Sequence, residues 1–560
     1  MDIVVKRLAI ACAAVALAAC GKKADTSDPL AFIPADTPYV IANVEPLPEA
    51  TVQVFAAQMK VFWPVMFEQF APVVAELEKD PKHADAARVM RTLYDELAPR
   101  DTPEKLAEIG LGMKVRSAFY GVGLIPVLRV ELADADAFRA AVARVEAKSG
   151  AKLGTGRIGD QDLWIVGAED VQGLIAIQGR HLVATLAPAN ADEALKRRLL
   201  GLDLPESSLA ASGELVALNK AEGYLPYGSG WVDLRRVVAL IDRDPGYQAF
   251  AKLATETPPA LDATCRAEAE AIVAHTPRAS FGYTALDAGH MTMRSVLELD
   301  PALAQSVQAL AVPPPGSAST ARTLLDLSLS VPVLKLKDFV EKQADAILAS
   351  PYRCEALAFL NDGATDLKAK IGQTVPPPLS DLTGLRISLD RFDWTADKPD
   401  FAAKLLVASG DPATLVSMAQ LAVPALRDVQ IRPDGTPVDL ALPPEAAGFV
   451  EFAQAAMVPQ ALGIAFGTGS AGGDLGSWIA EPAATDAQLL SFRYSARLYG
   501  LIGDATKRFA EAMPEEQRAM MDGQVRMYAL YEQWFKHFDQ RVQATPKGLV
   551  FVQDVELAQP

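Results

Sequence analysis

Residues 127–132 read Val127-Leu128-Arg129-Val130-Glu131-Leu132, and Asp134, Asp136, Phe138, Val142 and Val145 follow directly. The first six alternate as an extended strand, and either aspartate can cap a helix striped at three- and four-residue spacing. Downstream, Gly159-Asp160-Gln161-Asp162 turns into the β-rich run Leu163-Trp164-Ile165-Val166. Gly173 to Ile177 and His181 to Leu186 then pair about Gly179-Arg180, before a helix from Ala191 to Leu200. Strand, helix, hairpin-linked strands and a second helix, in that order, predict an α+β fold with mainly antiparallel sheets and flanking helices.

The same succession returns later in the chain. Lys404 to Val407 reads as a strand, Asp411-Pro412 opens a helix through Leu415, Met418 and Leu421, and Asp434-Gly435-Thr436-Pro437 turns into Val438-Asp439-Leu440. Leu462 to Phe466 takes the place of Leu174 to Ile177, while His290 to Leu299 with the helix from Pro301 to Leu310 repeats the strand-helix step alone. This spacing predicts duplicated strand-helix-hairpin units. Their joint is expected at Val312 to Thr320, where Pro313-Pro314-Pro315-Gly316-Ser317 breaks both patterns. The expected organisation is a signal peptide over 1–19, a lipidated tether over 20–32, a first α+β region over 33–312, and a second over 321–560 that ends in a C-terminal helix.

Ahead of the first unit, a strand from Tyr39 to Val44 precedes a helical region in which Phe55, Met59, Phe62, Met66 and Phe70 form an apolar face, with Trp63 and Phe67 beside them. The opening Ile33-Pro34-Ala35-Asp36-Thr37-Pro38-Tyr39-Val40, the 127–132 strand, the 159–166 turn-strand, the 179–186 hairpin and Ser208-Leu209 together resemble an exported bacterial family catalogued as domain of unknown function 3352. The resemblance covers mainly residues 33–240. It implies a fold and an extracytoplasmic location, and carries no catalytic residue.

Location is also written in the first twenty residues. Lys6 and Arg7 precede an apolar run from Leu8 to Leu17, about half the roughly 20 residues needed to span a bilayer. Leu17-Ala18-Ala19-Cys20 resembles a bacterial lipoprotein signal, which implies cleavage before Cys20, acylation of its thiol and attachment to the membrane through that lipid. Gly21, where a sorting aspartate would stand, implies the outer membrane with the body in the periplasm. Residues 21–29 include Lys22, Lys23, Asp25 and Asp28 and no large apolar side chain, as in a flexible tether.

The 560 residues are 50% hydrophobic and 22% charged, with 53 Lys and Arg against 70 Asp and Glu, a formal charge of −17. Such a composition excludes wholesale disorder, and its acidity, with no basic cluster, argues against nucleic acid as a partner. Once Cys12 is removed with the signal and Cys20 is acylated, Cys265 and Cys354 remain, and an oxidising compartment predicts a disulfide between them.

Constellations that carry chemistry were sought and not found. His83, His181, His275, His290 and His537 are too scattered for short-spaced metal ligands. Ser229 and Ser470 lack the glycine of a nucleophile elbow. Gly154-Gly156-Gly159 and Gly467-Gly469-Gly472 match a dinucleotide pattern but are not followed by the helix it requires, so both read as turns. Asp390, Asp393, Asp397 and Asp400 crowd one polar segment that reads as a solvated loop. No cofactor and no enzymatic activity are expected.

Apolar faces remain. A helix from Pro514 to Gln543 is predicted to carry Met527, Tyr531, Trp534 and Phe538, an adaptable surface for an apolar ligand or a partner. The expected function is a membrane-anchored, non-enzymatic envelope binding or scaffold module with an envelope protein or lipid as partner. The alternative is a periplasmic carrier of an acyl chain or another apolar ligand.

Overall fold

The computed structural model describes residues 27–79, 84–167, 171–247, 262–394, 399–442, 446, 448–469, 474–511 and 513–558. The predicted signal peptide, Cys20, His83, Asp397 and Gly472 lie outside the described residues.

The 127–132 segment forms β3 (Ile125–Glu131), and Asp134 caps the helix that follows, its carboxylate accepting from the backbone N–H groups of Asp136 and Ala137. Gly150, in the left-handed conformation, ends that helix. The other strands of the first half are β1 (Tyr39–Asn43), β2 (Ser117–Val122), β4 (Gly154–Ile158), β5 (Gln161–Gly167), β6 (Val171–Gln178), β7 (His181–Pro188), β8 (Ser229–Asp233), β9 (Arg278–Leu286) and β10 (His290–Glu298). The later half supplies β11 (Leu325–Ser330), β12 (Leu382–Trp394), β13 (Pro399–Ser409), β14 (Val438–Asp439), β15 (Phe452–Val458), β16 (Ala461–Gly467), β17 (Gln488–Ser495), β18 (Phe535–Thr545) and β19 (Gly548–Leu557).

These nineteen strands join into one sheet in which every pairing is antiparallel, so the protein is mixed α+β as its pattern predicts. From edge to edge the order is β4-β5-β6-β7-β3-β2-β1-β8-β9-β10-β19-β18-β17-β11-β12-β13-β16-β15-β14. The two halves meet where His290–Glu298 of β10 lies against Gly548–Glu556 of β19. Val40, Tyr120, Val127, Val183 and Trp231 pack beneath the helices Glu193–Leu200 and Glu214–Glu222. A second core gathers Leu406, Trp478 and Ile479 in the later half.

Two expectations need correction. The tether does not extend to residue 32, because Pro29–Phe32 forms a short helical turn in which Leu30 and Phe32 are buried, and Asp28 caps it through the Leu30 N–H. The proline-rich joint is packed, with Pro314 to Ser317 buried against the later half. The C-terminal helix runs from Glu515 to Trp534 and stops there. Residues 535–545 form β18, hydrogen-bonded on both sides by β17 and β19, and this pairing overrides the helical spacing of their aromatic residues.

Candidate functional site

Phe538 therefore lies on a strand, whereas Met527, Tyr531 and Trp534 lie on the helix Glu515–Trp534. The four do not form an open surface. Trp534 is 7% exposed and Phe538 6%, and Tyr531 and Met527 are half-buried. Phe538 stacks on Tyr494 with ring centroids 4.7 Å apart, and the Tyr494 hydroxyl lies 3.2 Å from that of Tyr499. Burial, with Tyr499 beside it, pushes the Tyr494 phenol well above its usual range. The long helix Glu49–Leu77 closes over this cluster. Its Phe62 ring meets Tyr531 at 5.9 Å and Trp534 at 6.2 Å, and Glu68 pairs with Arg526 at 2.8 Å. These two apolar helix faces cover each other.

Cys265 and Cys354 are bonded, with Cα atoms 4.6 Å apart. Asp262 caps the helix Ala263–His275 through the Cys265 N–H at 2.7 Å. One turn further on, the Glu268 carboxylate accepts from the N–H groups of Arg353 and Cys354 at 2.8 and 3.0 Å. The bridge and the carboxylate thus hold the same loop of the later half against a helix of the first.

The joint is held by charge. Asp326 on β11, 1% exposed, accepts from the Arg386 guanidinium at 2.8 Å and from Arg493 at 2.7 Å. Arg386 also reaches Glu481 at 2.8 Å and lies over the Trp478 ring. Arg493 donates to the carbonyls of Gly316, Ser317 and Ser319. Gly316, at φ +79°, passes so close to Arg386 that a Cβ there would fall 1.5 Å from Nη1, so only glycine fits.

A cleft of about 540 Å³ opens at the other side of the first half, where the chain enters the fold. Ser27, Phe32, Glu131, the Gln178–His181 turn and the loop of Gly201, Leu202 and Leu204 line it. His181 is 3% exposed, and its Nε2 is buried without a hydrogen-bond partner. Burial, reinforced by Arg129 and only partly opposed by Glu131, lowers its pKa to about 4. Behind the Phe32 ring, the Arg129 guanidinium stacks at 3.6 Å and donates to Gln178 Oε1 at 2.9 Å and to the Leu200 carbonyl at 2.8 Å. A Cβ on Gly201, at φ +75°, would stand 2.4 Å from Arg129 Nη2. The sequence reading passed over this group. One signal was available: the strand period places Arg129 on the same face as the buried Val127, inside rather than outside.

The remaining candidates take structural roles. Gly154 and Gly156 are in β4 and Gly159 is in the turn to β5. Asp390 pairs with Lys404 at 2.6 Å and Asp400 with Arg391 at 3.0 Å. His275 lies 2.6 Å from Asp300, while His290 and His537 flank Glu556 across the sheet. Among the described residues, no group of three or more His, Cys, Asp or Glu could hold a metal ion, and no helix is long and apolar enough to cross a membrane. No protein family, curated protein or solved structure matches the chain.

Proposed function

We propose that the protein is a non-enzymatic binding or scaffold module of the bacterial envelope, acylated at Cys20 and held at the outer membrane with its body in the periplasm. The observation that carries this reading is the Leu17-Ala18-Ala19-Cys20 sequence taken with the start of the fold. Asp28 already caps a buried turn, so residues 21–27 alone separate the acylated cysteine from the body. At about 3.3 to 3.6 Å per residue they reach roughly 25 Å, which keeps the sheet close to the bilayer surface.

The strand succession supports a duplicated scaffold. In each half the first strand pairs with a hairpin strand and with a later one (β1 with β2 and β8, β11 with β12 and β17). The third strand then pairs with the second strand of the next hairpin (β3 with β7, β13 with β16). On this reading β16 corresponds to β7, one strand along from the correspondence expected for Leu462 to Phe466, and the seam joins equivalent strands. The carrier alternative loses the residues on which it rested, because Trp534 and Phe538 belong to a packed core.

Replacing Cys20→Ser tests the anchoring. Labelled palmitate should enter the wild type and not the variant, and the variant should leave the membrane fraction. Normal processing with unchanged membrane fractionation refutes it. Native mass spectrometry of material extracted from envelopes should retain a protein partner at fixed stoichiometry; a chain that is bare in every extraction counts against the scaffold.

A further inference from the structure

We propose that the cleft beside the N-terminal turn binds the anionic head of a single-chain amphiphile, a carboxylate or a phosphate, with the acyl chain lying along Phe32, Leu202 and Leu204. This goes beyond the scaffold reading and holds whether or not Cys20 is acylated.

The head group is argued from Arg129. Its side chain is fully buried, its hydrogen bonds go to the neutral oxygens of Gln178 and Leu200, and the Tyr120 phenol stands beside it. Among the described residues no carboxylate pairs with it. Burying a cation without a counter-ion is costly, and this chain elsewhere avoids the cost, since Arg386 and Arg493 share Asp326. Arg180 and the carboxylate of Glu131 line the cleft, and Arg116 and the buried Arg129 stand behind the lining. That carboxylate is already engaged by Arg116 at 3.4 Å and Arg180 at 3.5 Å. The charge of Arg129 therefore remains unbalanced, separated from the cleft by the Phe32 ring and the bare backbone of Gly201. His181 belongs to the lining, and its buried Nε2 has no hydrogen-bond partner.

The tail is argued from the other wall. Phe32, whose far face covers Arg129, and Leu202 continue the lining, and Leu204 stands at the lip, 43% exposed. A volume of about 540 Å³ falls within the roughly 300 to 1,000 Å³ of small-molecule sites. Neither a bare anion nor a bare hydrocarbon would use both walls.

Calorimetric titration of the mature chain with sodium laurate, below its micelle concentration, is the test. One laurate should bind per chain, and dodecyltrimethylammonium, which reverses the head charge, should bind at least about tenfold more weakly, a difference of about 1.4 kcal/mol. Inorganic phosphate alone should bind more weakly than laurate. His181→Ala and Leu204→Glu should each weaken laurate by about tenfold or more; Leu204 is exposed, so its variant should keep the wild-type melting temperature and decide the matter even if His181→Ala does not fold. Lauroyl lysophosphatidylglycerol, which carries one matching chain, separates the two sources. Tighter binding than laurate assigns a lipid phosphate, and weaker binding a free carboxylate. Equal affinity for the two dodecyl heads, indifference to Leu204→Glu, phosphate binding as tight as laurate, or no binding of either anionic amphiphile overturns the assignment.

Discussion

Trp534 lies 6.2 Å from Phe62, ring centroid to ring centroid, and is the more deeply buried of the two. The last residue of one long helix is thus sealed by the middle of another. Trp534→Ala is expected to lower stability by about 3 to 5 kcal/mol, and Phe62→Ala by less. In the double variant the losses should fall short of their sum by roughly 0.5 to 1.5 kcal/mol, the coupling typical of touching aromatic rings. Urea melts of the three variants measure this, and a Trp534→Ala chain as stable as wild type would remove the indole from the core.

Reduction of the Cys265–Cys354 bond releases a constraint that spans 89 residues. On the chain-entropy account the expected loss is about 4 to 5 kcal/mol. Alkylation of the unreduced, denatured chain should leave both thiols unlabelled, and thermal melts with and without reductant should separate by several degrees. A Glu268→Gln variant should soften the same loop with the bond intact, seen as faster amide exchange at Arg353 and Cys354.

Asp326→Asn keeps the shape of the joint clamp but takes its charge from between two buried guanidiniums. Breaking a buried ion pair from one side costs about 3 to 5 kcal/mol. Proteolysis should then begin within residues 312–320, the segment whose carbonyls Arg493 holds, and an uncleaved joint in a destabilised variant would argue against the clamp.

Acid should weaken the first half through His181. Its folded pKa, about 4, lies below the ordinary value of 6.5, so the unfolded chain takes up the proton first as pH falls. The neutral ring's contribution is complete above pH 6.5 and is lost as pH falls toward about 4, amounting to up to about 3 kcal/mol. Arg129, Arg116 and Arg180 favour the neutral ring and Glu131 opposes them. A His181→Phe variant, compared with wild type in chemical melts between pH 7 and about 4, should show a shallower decline.

Local chemistry was readable, and long-range pairing was not. Asp134 and Asp411 mark helix starts from their own sequence, and both cap as expected. Each half also shows its hairpins. Nothing near Tyr39 indicates that β1 must lie against β8, since that choice depends on which faces remain uncovered once distant helices have packed. The end of the last helix was missed because Tyr531, Phe535 and Phe538 fit a helical spacing. The strand that Phe535 opens is fixed by neighbours on β17 and β19, not by local preference. The cleft was hidden for a related reason: Phe32, Arg129, His181 and Gly201 come from four segments that meet only in the finished sheet.

The seam between β10 and β19 sets an order of events during folding. Glu298 completes β10, yet its partner begins only at Gly548, so that edge stays bare while the whole later half is being made. An unpaired edge of nine residues is a template for any passing strand, including one from a neighbouring nascent chain. The strand Gly548–Leu557 therefore serves as a guard against misassembly: a chain without it would keep its other pairings and yet present both β10 and β18 as adhesive edges.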